Sequence, residues 1–259
     1  MGVKVSNLQV VYKNGNVIAV DNISFTVDNG VVLGILGPNG AGKTSLLKAI
    51  AKLVKYKGLV YIDGLEISRT PMRAISKLLS YAGDIDVPEY LSLKVLEAIL
   101  LARSPVSRRF IESREDLVYA LKLVQELGLS NLIDRRLNEL SSGELRRAVI
   151  AMALAKNPKY ILLDEPDSHL DLKNKVLVSK LIKRIALDKA KTIIFTSHDI
   201  LFTINTASHV LLVKDGKPVM YGSVGDVLDE SVLEKVYGVK FTLVNYGEGR
   251  ETIPIPLYS

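Results

Sequence analysis

The chain has 259 residues, 48% of them hydrophobic and 24% charged, with a formal net charge of +6 and no cysteine. This composition excludes a disordered chain, disulfides and thiolate metal sites, and no stretch approaches the roughly 20 apolar residues needed to cross a bilayer. The basic residues are spread along the chain without a long block, which reads as a solvated surface and argues against a nucleic-acid partner.

The length suits one compact domain with an inserted or appended subdomain. Alternating apolar residues in Lys4 to Tyr12 and Val17 to Val27, around the turn-like Lys13-Asn14-Gly15-Asn16, predict an antiparallel hairpin. Val31 to Leu36 is a continuous apolar run ending in a Gly-rich loop, and Thr44 to Val54 then has helical spacing. Short strands are expected at Gly58 to Ile62 and Leu78 to Ala82, and Glu89 to Ala155 reads as helical. Tyr160 to Leu163 and Thr192 to Thr196 read as buried parallel strands joined by a helix from Leu172 to Leu187. A hairpin of Val210 to Val213 and Pro218 to Tyr221 around Asp215-Gly216 follows, then two short helices and a β-like tail. The expected division is a core of residues 1–84 and 156–222, a helical insertion at 85–155 and a tail at 223–259. The opening lacks the charged-then-apolar layout of a signal segment, so a cytosolic protein is expected.

Gly37-Pro38-Asn39-Gly40-Ala41-Gly42-Lys43-Thr44, followed by Ser45, has the spacing of a phosphate-binding loop and lies between a buried strand and a helix. Glycines let the backbone curl so that successive N–H groups face phosphate oxygens. The helix N-terminus adds positive potential, Lys43 supplies a point charge and Thr44 offers a hydroxyl to Mg2+. ATP and Mg2+ are the expected cofactors. Tyr160 to Leu163 ends in Asp164-Glu165, which a parallel sheet brings to the same edge. Asp164 is the expected Mg2+ partner. Glu165 faces the attacking water, and since an ordinary glutamate is a weak base at neutral pH, it is read as orienting and polarising that water.

Between these segments stands Leu140-Ser141-Ser142-Gly143-Glu144, followed by Arg146-Arg147 and the apolar run Ala148 to Ala155. This resembles the signature segment of the ABC ATPases, and the resemblance covers nearly the whole chain. It implies a P-loop NTPase core with a mostly parallel sheet, an N-terminal antiparallel β subdomain and an inserted α-helical subdomain. By the same resemblance Tyr12 stacks on adenine, Ser168 to Asp171 cross a dimer interface, and His198 is a switch histidine. A head-to-tail dimer is then implied, with Ser141 and Gly143 of each cassette capping the γ-phosphate bound by the other. Each residue also has a plainer reading: Tyr12 as an aromatic packed on the sheet, His198 as a satisfied strand-end histidine, Ser168 to Asp171 as the cap of the next helix.

Two departures from the family pattern stand out. The glutamine that ends the strand before the helical subdomain is absent, since Gln9 and Gln125 lie elsewhere; Asp84 falls in its place, as a metal-site residue or an ordinary loop aspartate. Ser141 and Glu144 form an S-x-x-E capping box that sets a carboxylate where a phosphate should dock.

Pro88 to Glu97, Leu100 to Pro105 and the end of the chain (Tyr221-Gly222, Val227-Leu228, Val236 to Val239) are similar to the ATPases of importers for ferric siderophores, haem and cobalamin. That resemblance implies a peripheral subunit on the cytoplasmic face of the membrane, with permease subunits and a solute-binding protein as separate chains. The alternatives are a soluble non-transport cassette, such as an iron-sulfur cluster assembly ATPase, and a regulatory binder that holds ATP without turnover.

Overall fold

The computed structural model describes residues 2–12, 17–83, 92–103, 114–189, 191–227, 229–246 and 251–257. An antiparallel sheet is formed by β1 (Val3–Tyr12), β2 (Val17–Val27), β4 (Lys57–Ile62) and β5 (Leu65–Glu66), in the order β2-β1-β4-β5. Its strands alternate between buried and exposed residues, as expected of a sheet with one face covered.

The central sheet has the order β10-β9-β3-β8-β7-β6. It comprises β3 (Val32–Leu36), β6 (Leu79–Ala82), β7 (Tyr160–Leu163), β8 (Thr192–Ser197), β9 (His209–Lys214) and β10 (Lys217–Ser223). All its pairings are parallel except β9 with β10. Every residue of β3, β7 and β8 is buried, so these short apolar runs are covered on both faces. Alternate residues of β7 enter different cores. Tyr160 and Leu162 join the apolar layer beneath the antiparallel sheet, and Ile161 and Leu163 join the layer under the helices.

The helical layer consists of α3 (Val95–Arg103), α4 (Arg114–Glu126), α5 (Ser142–Ala155) and α6 (Leu172–Lys189). Helix α1 (Lys43–Ile50) leads from β3 of the central sheet to β4 of the antiparallel sheet, α2 (Met72–Leu78) returns from β5 to β6, and α7 (Ile200–Thr206) joins β8 to β9. Helices α8 (Val224–Val227) and α9 (Glu230–Tyr237) lead to a hairpin of β11 (Phe241–Tyr246) and β12 (Glu251–Pro256). The fold is the expected α/β arrangement.

Helix α1 is shorter than the expected Thr44 to Val54. Lys52 adopts a left-handed φ of 58°, and its N–H donates to Ala49 while that of Leu53 donates to Lys48, which closes the helix. Glycine is usual at such a position; here the Lys52 ammonium donates to the Ser68 and Thr70 carbonyls at 2.9 and 2.8 Å, which holds the turn.

Register decides where chemistry collects. Leu36 of β3 lies opposite Ser197 of β8, Leu163 of β7 opposite Phe195, and Ala82 of β6 opposite Leu163. The loops that follow β3, β7 and β8 therefore leave the sheet at one edge.

Candidate active site

Gly40 and Gly42 of the loop after β3 have φ values of 79° and 91°, and a Cβ on Gly42 would stand 1.9 Å from the Ala19 carbonyl oxygen. Only glycine fits there without moving backbone. A Cβ on Gly37 would likewise meet the Val213 carbonyl at 2.1 Å. The loop, including Asn39 and Ala41, delivers the chain into α1, whose first turn carries no acidic residue, so the positive end of the helix is unopposed locally. Lys43 is buried, and its ammonium donates to the Gly37 and Pro38 carbonyls at 2.8 and 2.9 Å. Burial pushes its pKa below the ordinary lysine value, against the opposing pull of Glu165, Asp164 and Asp167.

Asp164 is the hub of the site. Its Oδ1 accepts from the Thr44 hydroxyl at 2.9 Å and from the Thr196 hydroxyl at 2.6 Å, and its Oδ2 accepts from Tyr81 at 3.1 Å. Arg146 of α5 donates to the Asp164 carbonyl at 3.2 Å. A hydroxyl and a carboxylate 2.9 Å apart form an all-oxygen donor pair, which suits a small hard cation such as Mg2+. Asp84, expected beside this pair, lies outside the described residues.

Glu165 turns the chain away from β7 with a left-handed φ of 46°, and its N–H donates to Thr196 Oγ1 at 2.9 Å. Its carboxylate lies 3.8 Å from Nδ1 of His198, whose side chain is 48% exposed. Tyr12 is exposed at the tip of β1 and its hydroxyl lies 3.0 Å from that of Ser45. Its hydroxyl thus reaches the first turn of α1, just past the phosphate loop.

Ser141 caps α5. Its N–H donates to Glu144 Oε2 at 2.8 Å, and the Glu144 N–H donates back to the Ser141 hydroxyl at 3.4 Å. The Ser141 N–H bond first, and then the Ser141 hydroxyl donating to the same carboxylate oxygen at 2.8 Å, hold the Glu144 carboxyl below its ordinary pKa. A Cβ on Gly143 would meet the His169 carbonyl at 2.8 Å, so this helix start is seated against the segment that follows Glu165. Asp171 caps α6, accepting from the Asn174 N–H at 2.7 Å, in keeping with its plainer reading.

Lys43, Thr44, Asp164, Glu165 and His198 thus gather at one sheet edge, and the start of α5 reaches that edge through Arg146. Tyr81, Asp167, Thr196 and Ser197 have no site role in the sequence reading, and Arg146 enters it only as a residue flanking the signature segment. The one signal that could have found Thr196 and Ser197 is their place at the end of an apolar strand level with the phosphate loop.

The protein-family model described as ABC transporter matches residues 20–168, more than half of the chain. The chain belongs to the ABC transporter family. A petrobactin import ATP-binding protein of Bacillus subtilis is 33% identical over 239 residues, covering 91% of this cassette and 92% of that protein. Among solved structures, an inward-facing ABC transporter described as of metal-chelate type superposes on this cassette with a TM-score of 0.79 at 25% identity, covering 99% of this chain and 97% of that one. A dimeric ATP-binding cassette in a post-hydrolysis state with ADP and Pi gives a TM-score of 0.77 at 27% identity, over 86% of this chain and 98% of that one. Among the described residues no helix is long and apolar enough to cross a membrane.

Proposed function

We propose that this cassette is the ATP-hydrolysing subunit of an ABC importer whose cargo is an iron chelate (a siderophore or haem complex) or cobalamin. The observation that carries hydrolysis is the joined set Thr44–Asp164–Thr196–Glu165, with His198 beside Glu165, at the edge where the phosphate loop opens. The import reading rests on the petrobactin import relative and the metal-chelate type structure.

In this reading the Lys43 ammonium exchanges the Gly37 and Pro38 carbonyls for β- and γ-phosphate oxygens, and the N–H groups of residues 39–45 cradle the phosphates. Tyr12 stacks on adenine. Thr44 and Asp164 hold Mg2+, with Asp84 as the third member of the set, and the cation would neutralise charge developing on the phosphates. Glu165 orients the attacking water and His198 contacts the γ-phosphate. Ser141 and Gly143, at the positive end of α5, cap the γ-phosphate of a second cassette in a head-to-tail dimer, and Asp171 lies at the crossing. The core is residues 1–84 and 156–222, the helical part 85–155 and the tail 223–259. The dimer sits on the cytoplasmic face of the membrane, docked on permease subunits and served by a solute-binding protein.

Reconstitution with candidate importer permease subunits from the same organism tests the reading. ATP-dependent accumulation of a radiolabelled iron chelate or cobalamin in proteoliposomes supports it. ATPase activity that no permease stimulates would return the cassette to the non-transport class.

A further inference from the structure

Strand β8 ends in two fully buried hydroxyl residues, Thr196 and Ser197, and each is bonded to the segment that follows β7. Thr196 holds Asp164 and Glu165. Ser197 donates to Asp167 Oδ2 at 2.9 Å and accepts the Asp199 N–H at 2.9 Å. Asp199 is held in turn: its Oδ1 caps α7 by accepting from Phe202 at 2.9 Å, and its Oδ2 pairs with the Lys175 ammonium at 2.6 Å. His198 lies between these two anchored neighbours, with its half-exposed imidazole turned to Glu165.

We propose that Asp167 is a positioning residue of the hydrolytic site, which acts through Ser197 to set where the His198 imidazole stands against Glu165. The inference rests on the hydrolytic reading of the site. Asp167 is 1% exposed, and its Oδ1 has no hydrogen-bond partner among the described residues. Stability alone does not account for a buried carboxyl with one oxygen unpaired, because an apolar residue of similar size would avoid that cost. What the carboxyl does supply is an acceptor that fixes the direction of the Ser197 hydroxyl. With its one proton committed to Asp167, Ser197 presents a lone pair to the Asp199 N–H, and the backbone on either side of His198 is held. Burial raises the Asp167 pKa, opposed by the Ser197 hydroxyl, its own backbone N–H and Lys175, with Asp199 adding to the rise. A neutral carboxyl still accepts from Ser197, so the anchoring does not depend on its charge. A crevice of about 290 Å³ bordered by Glu165, Asp167, Lys175 and His198 leaves the imidazole room to swing once the anchor is cut.

Two measurements on Asp167→Ala, Ser197→Ala and Asp167→Asn test this. Long-range proton–nitrogen correlation spectra report the His198 ring without nucleotide, with His209 as internal reference, and steady-state phosphate release gives kcat and KM. Both alanine variants should shift the His198 resonances while His209 stays in place, and kcat should fall about 10- to 100-fold with KM for ATP nearly constant. Asp167→Asn keeps an acceptor oxygen for Ser197 and should retain the wild-type His198 spectrum and most of kcat. If Asp167→Ala does not fold, Ser197→Ala and Asp167→Asn carry the comparison. Unmoved His198 resonances in the alanine variants, whether or not kcat falls, would overturn the proposal. A wild-type protein that releases no phosphate would instead sink the hydrolytic reading, and the nucleotide-free spectra would still decide whether Asp167 positions His198.

Discussion

Thr196 Oγ1 donates to Asp164 Oδ1 at 2.6 Å while accepting the N–H of Glu165 at 2.9 Å, so one strand-end hydroxyl orients both acidic residues of the site. Both partners were in plain view in the sequence; the hydroxyl that joins them was not.

Replacing Thr196 with valine keeps the shape and removes the hydroxyl, which leaves a buried carboxylate oxygen with one donor fewer and a backbone N–H without its acceptor. Thr196→Val should lower kcat by about 10- to 100-fold, raise the Mg2+ concentration needed for half-maximal activity, and cost roughly 1–3 kcal/mol of stability. Thr196→Ser should restore most of all three. A metal titration of phosphate release, together with a urea denaturation series, checks this.

Glu144 places a negative charge at the start of α5, where the proposed dimer would dock a phosphate. Glutamine also serves in a capping box. Glu144→Gln should therefore keep the helix and lower the ATP concentration needed for half-maximal dimer formation by about two- to fivefold, the range of a helix-end charge. The gain should shrink as salt is raised, because the carboxylate is exposed. Sedimentation velocity against ATP concentration at two ionic strengths measures it.

Asp63 ties the beginning of β7 to the antiparallel sheet: it accepts from Lys159 at 2.5 Å and from the buried Tyr160 hydroxyl at 2.7 Å. Burial pushes its carboxyl upward, but the Lys159 and Tyr160 bonds outweigh it and leave the folded pKa below the ordinary value. The unfolded chain then takes up the proton first as pH falls. Stability from this carboxylate is present above the unfolded pKa of about 3.9 and is lost as pH drops through the folded value. Asp63→Asn should be less stable than wild type by roughly 1–3 kcal/mol at pH 7. Urea midpoints compared between pH 7 and pH 3 should show this gap closing at the acid end.

Much of the core was legible because β3, β7 and β8 are short apolar runs buried on both faces, and that pattern depends on composition alone. The phosphate loop was legible because its glycine spacing is a local pattern, readable without the distant Ala19 and Val213 carbonyls that also leave Gly42 and Gly37 no room for a Cβ. Helix α1 was drawn too long because Lys52 closes it in a left-handed conformation stabilised by carbonyls at residues 68 and 70, contacts without a local signature. Thr196, Ser197 and Asp167 were missed on similar grounds. Their bonds arise from the register of β8 against β7, and a single strand sequence carries no register. The place of Tyr12 beside Ser45 was likewise illegible, since that contact spans 33 residues of sequence.

In the proposed mechanism Glu165 serves hydrolysis within a dimer that ATP assembles. Light scattering and phosphate release on Glu165→Gln with MgATP test it most directly. The expected result is a stable dimer of twice the monomer mass that forms only with ATP, with turnover lowered by about 10² to 10⁴. A variant that stays monomeric at high protein concentration, or that hydrolyses ATP at the wild-type rate, would contradict it.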